Sequence, residues 1–423
     1  MLKRQEFWAL NWLRFFLSLY IVLFHTLNHQ YKLVKTHPVI SALLDLGNFA
    51  TSVFFVLSGF LLTYVYVSLR DNKKIDGRSF IVSRLSALYP IHIFTSVLAL
   101  PFFLSLIYRN GGIAIPLDAL TTETRLLGNC EMFFALLMNL TLTHAWNPLY
   151  LLLNPPTWSL SALLFFYLLF PFFAPWLNKI RKPITGLVIL GVVFSMPAAF
   201  AQMAGLSDIV TDGVLHRNPI VRLPLFLGGI LLCVIYARRT LTLTEKLSKM
   251  TAVGLFFLVI ATIAVAAYAQ VNYSGPQTHL VRNGLYYPAS LAVVWMFANV
   301  GQTVSKWNQQ WSARLGKASL SIFALHYPMF DIVRRGEKLL RACIMTWGED
   351  RTLSSLFRLA KTLDETILMY PVYLFLVIFT SIALQEQIVN PLQLLIKKRY
   401  FMWNAKRAQV FKIEQAEVFI SRK

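Results

Sequence analysis

EMFFALLMNLTLTHAWNPLYLLL, residues 131–153, is the stretch on which the fold turns. A helix needs about 20 mostly apolar residues to cross the hydrocarbon core of a bilayer. Ten other stretches are candidates on that ground: 6–29, 46–68, 80–107, 158–178, 184–203, 220–237, 250–270, 284–304, 317–333 and 366–393. If 131–153 also spans, there are eleven helices and every later loop changes side. Loop charge decides between the two arrangements. With the N-terminus inside, loop 69–79 carries Arg70, Lys73, Lys74 and Arg78. With 131–153 kept out of the count, the next inside loops hold Lys179, Arg181 and Lys182, then Arg238, Arg239, Lys246 and Lys249, then Lys306 and Arg314. The tail adds Lys397, Lys398 and Arg399. Lys and Arg concentrate in cytoplasmic loops, so this arrangement is the expected one. The reverse arrangement puts most of these clusters outside.

The fold class expected is therefore all-α, a polytopic transmembrane bundle of about ten spanning helices. Residues 131–153 are a re-entrant or surface segment, which is tolerated where protein buries its backbone. Both termini are expected to be cytoplasmic. One basic stretch, 334–363, falls on the outer side, and it is long enough for the charge rule to weaken. No repeat or linker divides the chain. It reads as one membrane domain, 1–396, with a basic cytoplasmic tail, 397–423.

Composition supports this. Of 423 residues, 57% are hydrophobic and only 14% charged, against roughly a quarter charged in soluble domains. The formal charge of +21, from 40 basic and 19 acidic residues, follows from basic inside loops, and no basic patch has the fold context for reading nucleic-acid bases. The cysteines, Cys130, Cys233 and Cys343, are far apart; neither a disulfide framework nor a metal knuckle is expected. No HExxH, P-loop, EF-hand or GxSxG motif is present, and no metal is expected. The first apolar stretch contains Arg14 and lacks a small-residue cleavage site, so it reads as a retained helix.

Ionisable groups within a membrane helix are costly and usually functional. The first helix has two, Arg14 and His25. Eleven residues apart, they differ by about 20° in rotation and about 16 Å in rise. They share a face, with Asn11, Ser18 and His29 within about 60° of the same line. Arg14 is expected in the inner half of the membrane and His25 in the outer half, both facing the bundle interior. Arg14 as a structural ion-pair partner and His25 as a satisfied interface histidine is the plainer alternative.

Further stretches follow in a fixed order: FFVLSGFLL (54–62), RLSALYP (84–90), PPTWSLS (155–161), FFYLLFP (165–171), RLPLFLGGILL (222–232) and LGKASLSIFALHYP (315–328). Together with Arg14–x10–His25, this ordered set resembles the acyltransferase-3 family, which includes bacterial O-antigen and exopolysaccharide O-acetyltransferases. The resemblance covers about residues 6–392. It implies about ten spans in a bacterial cytoplasmic membrane. It also implies transfer of an acyl group, commonly acetyl, from cytoplasmic acyl-coenzyme A to a hydroxyl of an envelope glycan or lipid-linked sugar, with Arg14 and His25 essential. Acyl-coenzyme A is then a co-substrate and no tightly bound cofactor is expected; the other partners are the glycan acceptor and membrane lipid. The chain departs from the family pattern at three places. Leu163 stands at the Glu of WSLSxE, Ala87 at the second Arg of R-x-x-R, and Asn390 before Pro391 where Glu-Pro is frequent, with Glu386 one turn earlier. An altered substrate or a weakly active member in a glycan assembly complex would account for them.

Acyl transfer to a hydroxyl needs a base and a stabiliser of the oxyanion. His25 has the intrinsic pKa for the base, and covalent carriage of the acyl group is open to it as well. Arg14 is a candidate for holding coenzyme A phosphate, polarising the thioester or orienting His25. Donor- or substrate-binding candidates are Ser58, Arg84, Trp158, Ser159, Arg222, His326 and Glu386. Each has a plainer reading beside it. Ser58 and Gly59 suit helix packing. Arg84 suits positive-inside anchoring, Trp158 an interface belt, and Arg222 snorkelling. His326 is open between site and structure, and Glu386 is expected to pair with an intramembrane Arg. A transporter or flippase of a lipid-linked sugar is the alternative class, although the paired broken halves common in transporters are not evident.

Overall fold

The computed structural model describes residues 6–28, 31, 36–69, 75–116, 124–242, 248–273, 275–301, 304–348, 352–364 and 366–404. His29, Arg70, Lys73, Lys74, Lys246 and most of the basic tail lie outside these residues.

Each of the ten expected spans falls mainly on helix in its described residues. α1 is Trp8–Val22, continued by a π-helical turn, Leu23–Asn28. The short α2, Pro38–Leu44, leads into α3, Gly47–Thr63, which ends in a second π turn, Tyr64–Ser68. α4, Gly77–Asn110, runs unbroken through Pro90 and Pro101. A small hairpin follows, β1 (Ala114–Pro116) antiparallel to β2 (Thr124–Leu126). Then come α5 (Asn129–Leu140), α6 (Trp158–Asn178), α7 (Pro183–Met203), α8 (Ile209–Arg217), α9 (Pro219–Thr242) and α10 (Lys249–Asn272). A third π turn, Val281–Leu285, enters α11, Tyr286–Ala298. α12, Lys306–Met345, has 40 residues; α13 is Leu353–Thr362; α14 is Tyr370–Leu384, followed by a fourth π turn, Gln385–Val389. Among the described residues, eight helices are long and apolar enough to cross a membrane, the last running from Tyr370 to Asn404. That last helix passes the expected domain boundary at 396. The other two expected spans, 284–304 and 317–333, fall on the 13-residue α11 and the middle of α12, which are not among those eight.

Residues 131–153 do not form a span. α5 has 12 residues, about 18 Å, well short of a ~30 Å core. Glu131 starts it by accepting from the Gly128 N–H at 3.0 Å and binding Arg125 through two 2.7 Å hydrogen bonds. The Arg125 guanidinium holds the Glu131 carboxyl down to about 2. The chain then turns back through His144–Trp146. Leu142 and Leu153 adopt left-handed backbone, with φ of 55° and 59°. A residue without glycine's freedom pays roughly 1 kcal/mol or more for that conformation, so tertiary contacts hold this segment in place. Leu142 is fully buried in the main core.

The described residues of the basic stretch 334–363 are largely helical: α12 continues to Met345 and α13 packs against it. Elsewhere the bundle is layered by burial. The apolar windows of the α3 and α9 spans are 72% buried, against 17% for α7 and α10, so α3 and α9 are central and α7 and α10 peripheral. The exposed Phe200, Phe257 and Val188 of the peripheral pair suit contact with lipid. α3 and α9 meet backbone to backbone. A Cβ on Gly59 would lie 2.1 Å from the Phe226 carbonyl oxygen, and one on Gly229 would lie 2.0 Å from the Val56 oxygen. The FFVLSGFLL and RLPLFLGGILL stretches therefore carry two halves of one close crossing, as small residues do in membrane bundles.

α1 packs most heavily on α12, and the two run parallel. Gly316 lies against Asn11, and Ser18 Oγ donates to the Ser319 carbonyl at 2.9 Å. Seven residues beyond Ser18, His25 meets His326. The polar stripe of α1 is thus an interhelical seam. The π turn at Leu23–Asn28 changes the helical phase within it, so the α-helical rotation between Arg14 and His25 does not hold to the end.

Candidate active site

The seam has one ionisable centre near each end. At the first, a cavity of about 410 Å³ is lined by Arg14, Ser58, Tyr66, Arg84, Tyr167 and Lys317, with Glu6 and Asn11 at its edge. Arg84 donates to the Tyr66 hydroxyl at 3.3 Å and lies over the Tyr66 and Phe80 rings at 5.6 and 5.9 Å. Arg14 and Arg84 repel each other across the cavity, and Lys397 repels Arg84. Arg14 and Arg84, separate candidates in the sequence, are thus brought together, and Ser58 lines the same space. Tyr167 and Lys317 were not singled out in the sequence, although both fall inside quoted stretches.

At the second centre, His25 and His326 are stacked at 5.1 Å with an 18° interplanar angle. His326 is fully buried. Its Nδ1 is 2.5 Å from the Phe323 carbonyl and its Nε2 is 3.1 Å from His25 Nδ1. A carbonyl only accepts, so His326 Nδ1 carries the proton and its Nε2, when the ring is neutral, accepts. His25 Nδ1–H must then donate, which places the His25 lone pair on Nε2. A histidine whose tautomer is fixed by a second group has the arrangement of a general base. Tyr373 supports the pair by donating to the His326 carbonyl at 3.0 Å, and Thr26 bonds Tyr370 at 2.8 Å. Direct Arg14–His25 contact is not made, as their separation along α1 predicts.

If His326 sets this tautomer, His326→Phe lowers kcat by on the order of 10²-fold with little change in KM, the scale for misplacing a reacting group. His326→Gln, whose amide oxygen still accepts from His25 Nδ1, stays within about tenfold. Steady-state kinetics on the two variants checks it; equal losses in both would reduce His326 to a packing residue.

Two sequence expectations change, those for Trp158 and Arg222. Trp158 is only 6% exposed and packs on His216 at 4.8 Å and Phe55 at 6.0 Å, so it is no interface-belt residue. Ser159 is buried, with its hydroxyl turned to the Pro156 carbonyl at 3.4 Å. Arg222 is 2% exposed and does not snorkel; its Nε–H donates to the His216 carbonyl at 2.8 Å. Glu386 pairs with Arg314 through hydrogen bonds of 2.6 and 2.9 Å, both side chains half-exposed. It lines a neighbouring cavity of about 330 Å³ that shares Lys317 with the Arg14 cavity. A second histidine pair was missed: His92 and His144 stack at 5.6 Å, with His92 Nε2 2.7 Å from the Asn139 carbonyl and His144 Nε2 3.3 Å from Thr157 Oγ1. His92 carried the same signal as His25, an ionisable group inside a spanning stretch. Asn154 ties this region to the dyad by donating to the Ala324 carbonyl at 2.8 Å. Among the described residues no His, Cys, Asp and Glu group has the makings of a metal site.

With this geometry in view, the comparisons with known proteins are decisive at the level of family. The acyltransferase domain model of the Acyl_transf_3 family matches residues 7–386. The chain belongs to the acyltransferase-3 family. It is similar to acyltransferase MdmB of Streptomyces mycarofaciens, 26% identical over 350 residues, which cover 78% of this chain and 80% of the relative. No solved structure matches. As an acyltransferase-3 member with eight helices apolar enough to span a bilayer, the chain is a multi-pass membrane acyltransferase. The transporter alternative therefore falls away. Leu163, at the family's Glu position, is 8% exposed and belongs to the main apolar core.

Proposed function

We propose that this acyltransferase moves an acetyl group from cytoplasmic acyl-coenzyme A to a hydroxyl of an envelope glycan or its lipid-linked sugar precursor. The proposed setting is the bacterial cytoplasmic membrane, with both termini inside. One observation carries the reading: a single seam between α1 and α12 bears a cationic cavity near one end and a tautomer-fixed histidine pair near the other. Coenzyme A phosphates suit Arg14, Arg84 and Lys317, whose charges otherwise repel. The pantetheine arm would extend along the seam toward His25. His25 Nε2 takes the acceptor hydroxyl proton as the oxygen attacks the thioester carbonyl; the carbon–sulfur bond breaks and the thiolate leaves with a proton returned to it. Arg14 assists donor binding. Ser58 contacts the donor, and Trp158, Ser159 and Arg222 serve the acceptor side.

The donor part is tested by Arg84→Gln. It raises the KM for acetyl-coenzyme A about tenfold, the scale of one charge-assisted phosphate contact, and leaves KM for dephosphorylated acetyl-pantetheine unchanged. An equal rise for both donors would remove Arg84 from the phosphate site.

A further inference from the structure

Among the described residues, a set of cationic side chains outside the donor cavity forms no ion pair. Arg222 lies in the first turn of α9 and Arg282 in the π turn that enters α11. Cations at a helix start oppose the positive end of the helix dipole and raise the local need for negative charge. Arg217 closes α8. α8 is itself held down by the contact of Gly213 with the Pro148 carbonyl and by a 2.8 Å hydrogen bond from Arg217 Nε to the Asn147 carbonyl. Electrostatic repulsion links Arg222 with Arg282, and links His216 with all three arginines. Among the described residues no carboxylate forms an ion pair with Arg217, Arg222 or Arg282.

Several donors here are buried and unused. Among the described residues, Arg282 Nε, Arg217 Nη2 and the Tyr286 hydroxyl have no hydrogen-bond partner. Tyr286 is 1% exposed and interacts electrostatically with Arg282 and Arg222, and with the Asp45 carboxylate at the end of α2. A buried donor without a partner is costly, and a buried unpaired charge more so. Three guanidiniums and a phenol gathered in this way match the oxygens of a phosphate or carboxylate. The π turn that holds Arg282 fits, since such turns recur at functional sites. The set lies at the His25 end of the bundle: Trp158 packs on His216, and Tyr286 reaches Tyr20, five residues before His25 on α1.

We propose that Arg217, Arg222, Arg282 and Tyr286 form an oxyanion subsite for the phosphate or carboxylate of an anionic acceptor. That the ligand is the acceptor rests on the acyltransferase reading above; the anion binding itself does not. The full chain in detergent is titrated calorimetrically with inorganic pyrophosphate and, separately, with methyl glucuronoside, with uncharged methyl glucoside as the blank. The Arg84→Gln background weakens anion binding at the donor cavity, and the Arg282 and Arg222 variants separate any binding that remains there from binding at the subsite. At least one oxyanion binds, and which one distinguishes a phosphate head from a uronate. Adding Arg282→Gln or Arg222→Gln weakens that binding tenfold or more, while Arg282→Lys loses less, with thermal midpoints within about 3 °C of the parent. Binding of neither probe, or unchanged affinity in both folded Gln variants, overturns the subsite. Loss of acyl transfer is scored apart: an intact anion site without transfer sinks the functional reading and spares the subsite, and transfer without anion binding does the reverse.

Discussion

Replacing His25 by alanine lowers acyl transfer about 10³-fold, within the range that a positioned general base contributes. The hydrogen-bond chain from the Phe323 carbonyl through His326 to His25 Nδ1 allows one neutral tautomer and leaves Nε2 as the basic nitrogen. His25→Ala removes that nitrogen and leaves the cationic cavity around Arg14 untouched, so donor affinity is expected to survive while turnover falls. Incorporation of labelled acetyl from acetyl-coenzyme A by membrane vesicles, at matched protein level, measures the loss. His25→Gln does not rescue it, because an amide accepts no proton at neutral pH. A loss below tenfold would remove His25 from the chemistry.

The largest effect on stability is expected at the α3–α9 crossing. Gly59→Val puts a Cβ where the Phe226 carbonyl oxygen now is, 2.1 Å away, and within 3.1 Å of the Ile230 nitrogen. Those neighbours are backbone atoms of a buried helix and do not rotate aside as a side chain would. Separating the two central helices also opens contacts of Val56, Phe60, Phe226 and Ile230, all essentially unexposed. Overpacking of a core typically costs 1–3 kcal/mol; with backbone against backbone on the central pair, about 3 kcal/mol or more is expected, enough to prevent recovery of folded protein. Gly254→Val on the peripheral α10, where a Cβ meets nothing within 4 Å, is the matched control. Detergent size-exclusion profiles and thermal midpoints compare the two, and equal behaviour would contradict the crossing.

The features legible in the sequence were those with a short-range signature. Apolar length and loop charge separate the spans from 131–153, and the chain there forms a 12-residue helix and a turn. The spacing Asn11, Ser18, His25 marks a face of α1, and that face packs on α12. Arg14 and Arg84 were each flagged by charge, and they share a cavity. The parts that were not legible depend on which helices meet. His326 gains its meaning only because α12 runs parallel to α1, and no local pattern announces that pairing. Trp158 and Arg222 were given surface explanations because both stand at helix starts; packing of α6, α8 and α9 buries them instead. Arg217 and Arg282 are 65 residues apart in number and ordinary at loop ends, until the bundle places both, with Arg222, within electrostatic reach of His216. The four π turns, which hold or adjoin His25, Tyr66, Arg282 and Glu386, are a further level the helical wheel misses, since each resets the 3.6-residue phase.

The measurement closest to the central claim is mass spectrometry of envelope glycans and lipid-linked sugars from cells lacking this chain, complemented with the wild type or with His25→Ala at equal protein level. The account predicts an acetyl mass increment with the wild type and its absence with His25→Ala. An increment that persists in the variant would contradict the role of His25, and no increment with the wild type, with glycan amount or length altered instead, would contradict the proposed reaction.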